Sequence, residues 1–363
     1  MKLDYTQLLY ELKNKETNTE INGVNIVIKH IPESDEEGIL DPRVKKINTK
    51  MPKDNDDNKS LKKIDVEKIR NGMGYKNIDI TKENVITTKK TIQLNNRNIN
   101  IRIYKKEKSC DNIPCIIFFH GGGFIGGTLD VVENPCKAIA EKANVVVISV
   151  EYRLAPEYPY PLGLEDCFEI VTYIYNNNNK FNIDKEKICI GGDSAGGNLS
   201  IACSLKDLNS KTTNMIKGQI LIYPVVLLDT DNSKYKWNIN KYNLGKDRDL
   251  INEMMKGTKE FLENTRNLYI QNNEDISNPY ISPLLDNTHS KMPDTLIFTA
   301  EYDYLLVQAE EYGIKLKNLG TDVKIIRYKG MDHAFIDKCG IYPQAEDCFD
   351  EIAKFIKQKF YSK

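Results

Sequence analysis

From about residue 85 onward, short apolar runs alternate with stretches whose apolar positions recur every three or four residues. The runs are 115–119, 145–150, 187–190, 219–223, 295–299 and 323–328, and residues 99–104 alternate apolar with polar. Most of the runs are rich in β-branched residues and show no alternation. Strands buried on both faces need that pattern, because neither face meets water. Between them, residues 134–143, 163–177, 198–208, 308–319 and 344–359 carry a helical period. Repeated strand–helix–strand order predicts an α/β chain with a mostly parallel central sheet flanked by helices.

Two segments break this rhythm. Residues 1–84 carry helical patterns and a charged stretch at 53–59 that is expected to be mobile, and they are read as an N-terminal cap or extension. Residues 225–278 form a long insertion after the run ending at Tyr223-Pro224. It reads as two helices, 248–256 and 258–264, and holds the only tryptophan, Trp237. An insertion of that length in a compact domain is usually a lid or binding element, so it is assigned to a cap. The core is then 85–224 together with 279–363.

Composition narrows the classes. At 363 residues and 40% hydrophobic content, the chain can bury a sizeable core plus an attachment. Lys+Arg is 51 against Asp+Glu 52, and no basic run stands out, so no nucleic-acid partner is expected. The N-terminus lacks the apolar stretch of a secretory signal, and no run is long enough to span a bilayer. A cytoplasmic protein is expected. Eight scattered cysteines without a C-x-x-C pair read as reduced core thiols, and four histidines (His30, His120, His289, His333) are too few for a cluster. No metal and no cofactor are predicted, and a homo-oligomer is left open.

The chemistry concentrates in two glycine-rich motifs. Ile190-Gly191-Gly192-Asp193-Ser194-Ala195-Gly196-Gly197 follows a strand and opens a helix, and it contains G-x-S-x-G. Small residues flank the serine because the chain turns sharply there. The turn lifts the hydroxyl to a helix N-terminus, whose free N–H groups favour developing negative charge. Ser194 is the candidate nucleophile. Phe119-His120-Gly121-Gly122-Gly123-Phe124 also ends a buried strand. Consecutive glycines let amides converge on one small volume, as an oxyanion hole requires, with the Ala195 N–H completing it. The spacing fits neither a P-loop nor a dinucleotide fingerprint. His120 is expected to anchor the loop and to move no proton.

A strand–serine–helix elbow takes its acid and then its base from later in the chain. Two histidines follow Ser194: His289, in a polar loop, and His333, in Gly330-Met331-Asp332-His333-Ala334-Phe335 just past the run 323–328. A loop at a strand's C-terminal end can reach Ser194, so His333 is chosen as the base. Asp303 follows the run 295–299, one crossover unit earlier, and is preferred as the acid. Glu301 and Asp332 are its rivals. Glu301 could equally be structural, and Asp332 adjoins His333, where neighbours seldom orient onto one another.

Taken together, these residues resemble the hormone-sensitive-lipase-like esterases and acetyl hydrolases of the α/β-hydrolase fold. The resemblance rests on His120-Gly121-Gly122-Gly123-Phe124, Gly192-Asp193-Ser194-Ala195-Gly196-Gly197 and Glu151-Tyr152-Arg153-Leu154-Ala155-Pro156-Glu157 with Tyr160-Pro161 and Glu165-Asp166. Asn278-Pro279-Tyr280-Ile281-Ser282-Pro283-Leu284 and the His333 motif extend it over roughly 85–360. More faintly, Leu40-Asp41-Pro42-Arg43 and Val66-Glu67-Lys68-Ile69-Arg70 look like that family's N-terminal cap helices. The resemblance implies a triad of Ser194, Asp303 and His333. It also implies oxyanion donors at Gly122, Gly123 and Ala195, and a helical cap from the N-terminal segment and the 225–278 insertion. The family's D-P-L-x-D around the acid reads Asp303-Tyr304-Leu305-Leu306-Val307 here, a departure in local loop shape. The expected activity is hydrolysis of small-molecule carboxylic esters, short to medium in acyl length, through an acyl-enzyme. Another acyl hydrolase acting on a lactone, formamide or peptide-like bond is the alternative, as is a silent small-ligand receptor on the same scaffold.

Overall fold

The non-alternating runs form the middle of one ten-stranded sheet. The computed structural model describes residues 3–50, 64–94, 96–210, 213–230, 232, 234–235, 237–286 and 291–361. The charged run at 53–59 and His289 lie outside the described residues. In chain order the elements are α1 (Tyr5–Asn14), β1 (Glu16–Ile21), β2 (Val24–Lys29), α2 (Pro42–Asn48), α3 (Val66–Gly72), β3 (Val85–Gln93), β4 (Asn98–Lys106) and β5 (Ile113–Phe119). Next come α4 (Glu133–Ala143), β6 (Val146–Val150), α5 (Leu162–Asn176), β7 (Ile183–Asp193), α6 (Ala195–Asn209) and β8 (Gly218–Ile222). The chain ends with α7 (Arg248–Tyr269), β9 (Asp294–Ala300), α8 (Leu306–Asn318), β10 (Val323–Tyr328) and α9 (Pro343–Tyr361).

The strand order is β1-β2-β10-β9-β8-β7-β5-β6-β4-β3. The strands from β2 through β6 in that order pair in parallel, and the flanking pairs β1–β2, β4–β6 and β3–β4 are antiparallel. Because side chains alternate across a strand, each central strand feeds two layers. Phe118, Val147, Ile220, Phe298 and Ile326 pack with Cys136 and Ala140 of α4 and Phe349 and Ile352 of α9. On the opposite face, Ile117, Ile148 and Ile190 pack with Ile170 of α5 and Leu199 of α6. Leu221, Ile297 and Ile325 meet Tyr312 and Leu316 of α8 there as well. The side chains of β5, β6 and β8 are all inside, which is why those runs show no polar alternation.

The N-terminal segment carries helices, as its patterns predict, at α1, α2 and α3, but it departs from the helical expectation between α1 and α2. Residues 16–29 are a hairpin whose second strand extends the parallel sheet beside β10. Asn22 and Gly23 turn the chain with φ of 50° and 77°, the left-handed pair that a two-residue hairpin turn requires. Lys29 at the end of β2 is 1% exposed and sits among Glu16 (2.8 Å), Glu351 (3.2 Å) and Asp347 (3.4 Å). Burial alone would lower its pKa, but Asp347, Glu16 and Glu351 reverse that and hold it charged. A second departure is α7, one continuous helix rather than two, passing through Gly257. Among the described residues, no helix is long and apolar enough to cross a membrane.

The parallel arrangement decides where chemistry can gather. The C-terminal ends of β5, β7, β9 and β10 point the same way, with Phe119 opposite Gly192 and Tyr328 opposite Ala300. The four loops carrying His120–Gly123, Ser194, Asp303 and His333 therefore leave one edge of the sheet.

Candidate active site

Ser194 occupies the residue between β7 and α6, with φ 53° and ψ −115°, a conformation that an L-residue holds only when its surroundings impose it. The surroundings do so through backbone contact. A Cβ on Gly196 would strike the Phe119 carbonyl, and one on Gly192 would strike that same carbonyl and the Gly196 backbone. The Ser194 N–H donates to the Ile222 carbonyl of β8 at 2.9 Å, and its own carbonyl accepts from Asn198 and Val225. The turn is thus fixed from both sides, and the side chain projects from the end of the sheet.

The imidazole of His333 reaches it from the loop after β10. His333 Nε2 lies 3.0 Å from Ser194 Oγ, and Nδ1 lies 2.7 Å from Asp303 Oδ2. In the neutral tautomer set by that carboxylate, Nδ1–H donates to Asp303 and Nε2 accepts from the serine hydroxyl. Asp303 is itself oriented: Oδ1 accepts from the Leu305 N–H at 3.0 Å, and the Asp303 carbonyl accepts from the Tyr242 hydroxyl at 3.0 Å. Tyr223 packs edge-on against the imidazole, with ring centroids 4.8 Å apart. Burial by itself would lower the His333 pKa. Asp303, through its charge and hydrogen bond, and Asp193 outweigh burial, so the net displacement is upward.

The rivals for the acid position are placed elsewhere. Glu301 accepts from the Gly330 N–H at 2.8 Å and so fixes the start of the loop that carries His333. Burial pushes its carboxyl up. Asp332 faces α2, accepting from Asn48 Nδ2 at 3.1 Å.

The glycine loop lies on the other side of Ser194. Gly122 has φ 124° and Gly123 φ 61°, both disfavoured for a residue bearing Cβ. His120 is buried, stacks on Tyr152 with centroids 4.5 Å apart, and donates from Nδ1 to the Gly121 carbonyl at 2.8 Å. Burial drives its pKa down to about 4. The Tyr152 hydroxyl donates to the His120 carbonyl at 2.6 Å, so a residue of the Glu151–Glu157 motif pins this loop. Asp193 pins it again, accepting from the Gly121 N–H at 2.9 Å. Burial, and then the nearby Asp337, raise the Asp193 carboxyl well above the usual range. The N–H groups of Gly122, Gly123 and Ala195 have no partner among the described residues.

These groups border one cavity of about 180 Å³, with Ser194, His333 and the glycines at its floor. Met73 and Gly74 after α3, Val131 and Val132, and Phe261 of α7 supply its apolar walls. Of the lining residues, Met73, Gly74, Gly127, Val131, Val132, Phe261 and Asp337 were not singled out from the sequence. Phe261 had only a helical period to announce it, and Met73 adjoins a short helix in a mostly polar segment. Among the described residues, no group of three or more His, Cys, Asp or Glu side chains converges as metal ligands would.

Comparison with known proteins follows the same outline. A family model described as the alpha/beta hydrolase fold matches residues 116–337. An arylesterase of Saccharolobus solfataricus is 34% identical over 245 residues, covering 68% of this chain and 75% of that protein. A carboxylesterase of Mycobacterium tuberculosis is 29% identical over 251 residues, covering 69% and 75%. Among solved structures, a hyperthermophilic esterase from the archaeon Pyrobaculum calidifontis superposes with a TM-score of 0.72 at 26% identity, covering 88% of this chain and 98% of that one. With the strand order, the elbow at Ser194 and a matched stretch running from β5 to just past His333, this chain belongs to the alpha/beta hydrolase fold family.

Proposed function

We propose that the protein is a serine carboxylesterase that hydrolyses small, short-to-medium acyl esters through an acyl-enzyme intermediate. The observation that carries this reading is the unbroken hydrogen-bonded series Asp303–His333–Ser194, ending at a cavity floor of unpartnered amides. Ser194 attacks the ester carbonyl while His333 Nε2 takes its proton. Asp303 holds the imidazole and stabilises the imidazolium. The carbonyl oxygen, now an anion, receives hydrogen bonds from Gly122, Gly123 and Ala195. His333 then returns the proton to the departing alcohol. Water, activated by the same imidazole, releases the acid and restores the serine.

The named activities of the relatives support the bond class, since they are an arylesterase and a carboxylesterase. The cavity supports small substrates, because its accessible space over Ser194 is only about 180 Å³ between apolar walls. Met73 and Gly74 just after α3 and Phe261 of α7 wall the cavity, which supports assigning 1–84 and 225–278 to a cap over the core, with the β1–β2 hairpin an extension of the core sheet. The eight cysteines are unpaired thiols, seven of them buried, which supports a reducing, cytoplasmic setting.

The test is hydrolysis of p-nitrophenyl acetate by wild type and Ser194→Ala. The expected outcome is background turnover by a variant with unchanged thermal unfolding. A variant retaining most of the activity would remove the nucleophile assignment. The silent-receptor alternative predicts no turnover by wild type either.

A further inference from the structure

Arg70, near the end of α3, sends one guanidinium into three places. Nε donates to the Ile125 carbonyl at 2.6 Å, and Nη2 donates to the Ala155 carbonyl at 2.9 Å. Nη1 and Nη2 grip the two carboxylate oxygens of Glu157 at 2.9 and 2.6 Å. The two carbonyl-bearing segments are also tied to each other, by the Ala155 N–H donating to the Phe124 carbonyl at 3.0 Å. Ile125 belongs to the glycine loop itself: the N–H groups of Ile125 and Gly126 both donate to the Gly122 carbonyl, at 3.2 and 3.0 Å. Three residues past Arg70, the Met73 sulfur lies against Gly126, so closely that a Cβ there would collide with it.

The loop needs external support. Gly122, Gly123 and Phe124 all hold positive φ, at 124°, 61° and 65°, and Phe124 does so despite its side chain. Glycine takes positive φ without strain, but Phe124 does not, and its conformation persists only because neighbouring groups over-determine it. Asp193 and Tyr152 fix the start of the loop, and Arg70 and Ala155 fix its end.

We infer that Arg70 is a positioning residue: it latches α3 onto the glycine loop and thereby holds the Gly122 and Gly123 amides in the geometry that the transition state requires. The inference rests on reading those amides as oxyanion donors. Glu157 is half exposed, so its ion pair with Arg70 adds little by itself. The charge-assisted bonds to Ile125 and Ala155 do the positioning. Lysine cannot replace them, because an ammonium lacks the planar fork that reaches both carbonyls at once.

The experiment compares wild type with Arg70→Ala, Arg70→Lys and Glu157→Gln in steady-state hydrolysis of p-nitrophenyl acetate and in inhibition by an aryl trifluoromethyl ketone. Ser194 Oγ adds to the ketone carbon, its proton passes to His333, and the resulting hemiketal oxygen occupies the oxyanion position. For Arg70→Ala the expected kcat falls about 10- to 100-fold, the cost of a displaced catalytic geometry. KM stays within about threefold, and the ketone Ki rises by the factor that kcat/KM loses, as a transition-state effect demands. Arg70→Lys behaves similarly and serves if the alanine variant does not fold. Glu157→Gln stays within about threefold of wild type. Folded Arg70 variants with unchanged kcat and Ki overturn the inference, and so does a raised KM with kcat preserved. If wild type itself ignores the ketone, the reading of Ser194 falls, and the inference falls with it.

Discussion

Asp303→Asn separates charge from shape at the centre of the site. The carboxylate lies 2.7 Å from His333 Nδ1, and the side chains are 1% and 22% exposed respectively. At that burial the pair is better described by an effective dielectric constant of about 20 than by bulk water. Unit charges some 4 Å apart then interact by about 4 kcal/mol, against about 1 kcal/mol in water. In the proposed mechanism the imidazolium forms only as Ser194 loses its proton, so that stabilisation belongs to the transition state. About 4 kcal/mol corresponds to nearly three decades of rate at 1.36 kcal/mol each. The asparagine amide also favours the wrong imidazole tautomer, which brings the expected loss in kcat to about 10⁴-fold. The assay is p-nitrophenyl acetate hydrolysis at about pH 8, with Glu301→Gln run in parallel. Glutamine keeps an oxygen to accept from the Gly330 N–H, so that variant should lose less than about tenfold, having given up only the charge assistance of one hydrogen bond. Retention of more than a tenth of the activity by Asp303→Asn, or an equal collapse in Glu301→Gln, would rule out Asp303 as the carboxylate that stabilises the imidazolium.

Three further outcomes follow from the same geometry. His333 accepts a proton only when neutral, and its pKa lies above the ordinary 6.5, so kcat/KM should fall as pH drops through a midpoint above 6.5; a pH–rate profile with its acidic limb at or below 6.5 contradicts this. The cavity of about 180 Å³ predicts that p-nitrophenyl acetate to butyrate outpace laurate, and Phe261→Ala, which removes an apolar wall beside Gly123, should move the optimum to longer chains; a wild-type optimum at laurate contradicts it. Lys29→Met takes a buried cation from Asp347, which keeps the Tyr328 hydroxyl, while Glu351 retains Lys324 and Lys354, and should cost about 1–3 kcal/mol in urea unfolding; a change under about 0.5 kcal/mol would mean the lysine is dispensable.

The parallel core was legible because its strands are buried on both faces and announce themselves by unbroken apolar runs. The observed ends of α4, α5, α8 and α9 fall within about two residues of the periodic stretches, the ordinary margin for fraying termini. The positions of Ser194, His333 and Asp303 were legible for a different reason. Parallel topology sends every strand's C-terminal loop to one edge, so residues just past the strand ends must be neighbours there. The β1–β2 hairpin was missed. Its outer strand, Glu16-Thr17-Asn18-Thr19-Glu20, is a polar edge with no apolar face, and charge dominated the reading of that segment. The Asn22-Gly23 pair between strand-forming residues was the available signal. The break expected in α7 at Gly257 does not occur. One glycine costs about 1 kcal/mol in a helix, and the apolar stripe through Ile251, Met255 and Leu262 outweighs it by burial. Arg70, Met73 and Phe261 could not be read as cavity or loop contacts, because their partners lie 53 or more residues away and no local pattern encodes such a meeting.

The role of Ser194 as nucleophile is tested most directly by mass mapping of the protein after reaction with an organofluorophosphonate. Attack by Ser194 Oγ on phosphorus expels fluoride and leaves one phosphonyl group. A single adduct is expected, on the peptide containing Gly192–Gly196, appearing in step with the loss of esterase activity and absent from Ser194→Ala. An adduct on any other residue, or an unmodified enzyme that goes on hydrolysing esters in the presence of the reagent, would contradict that role.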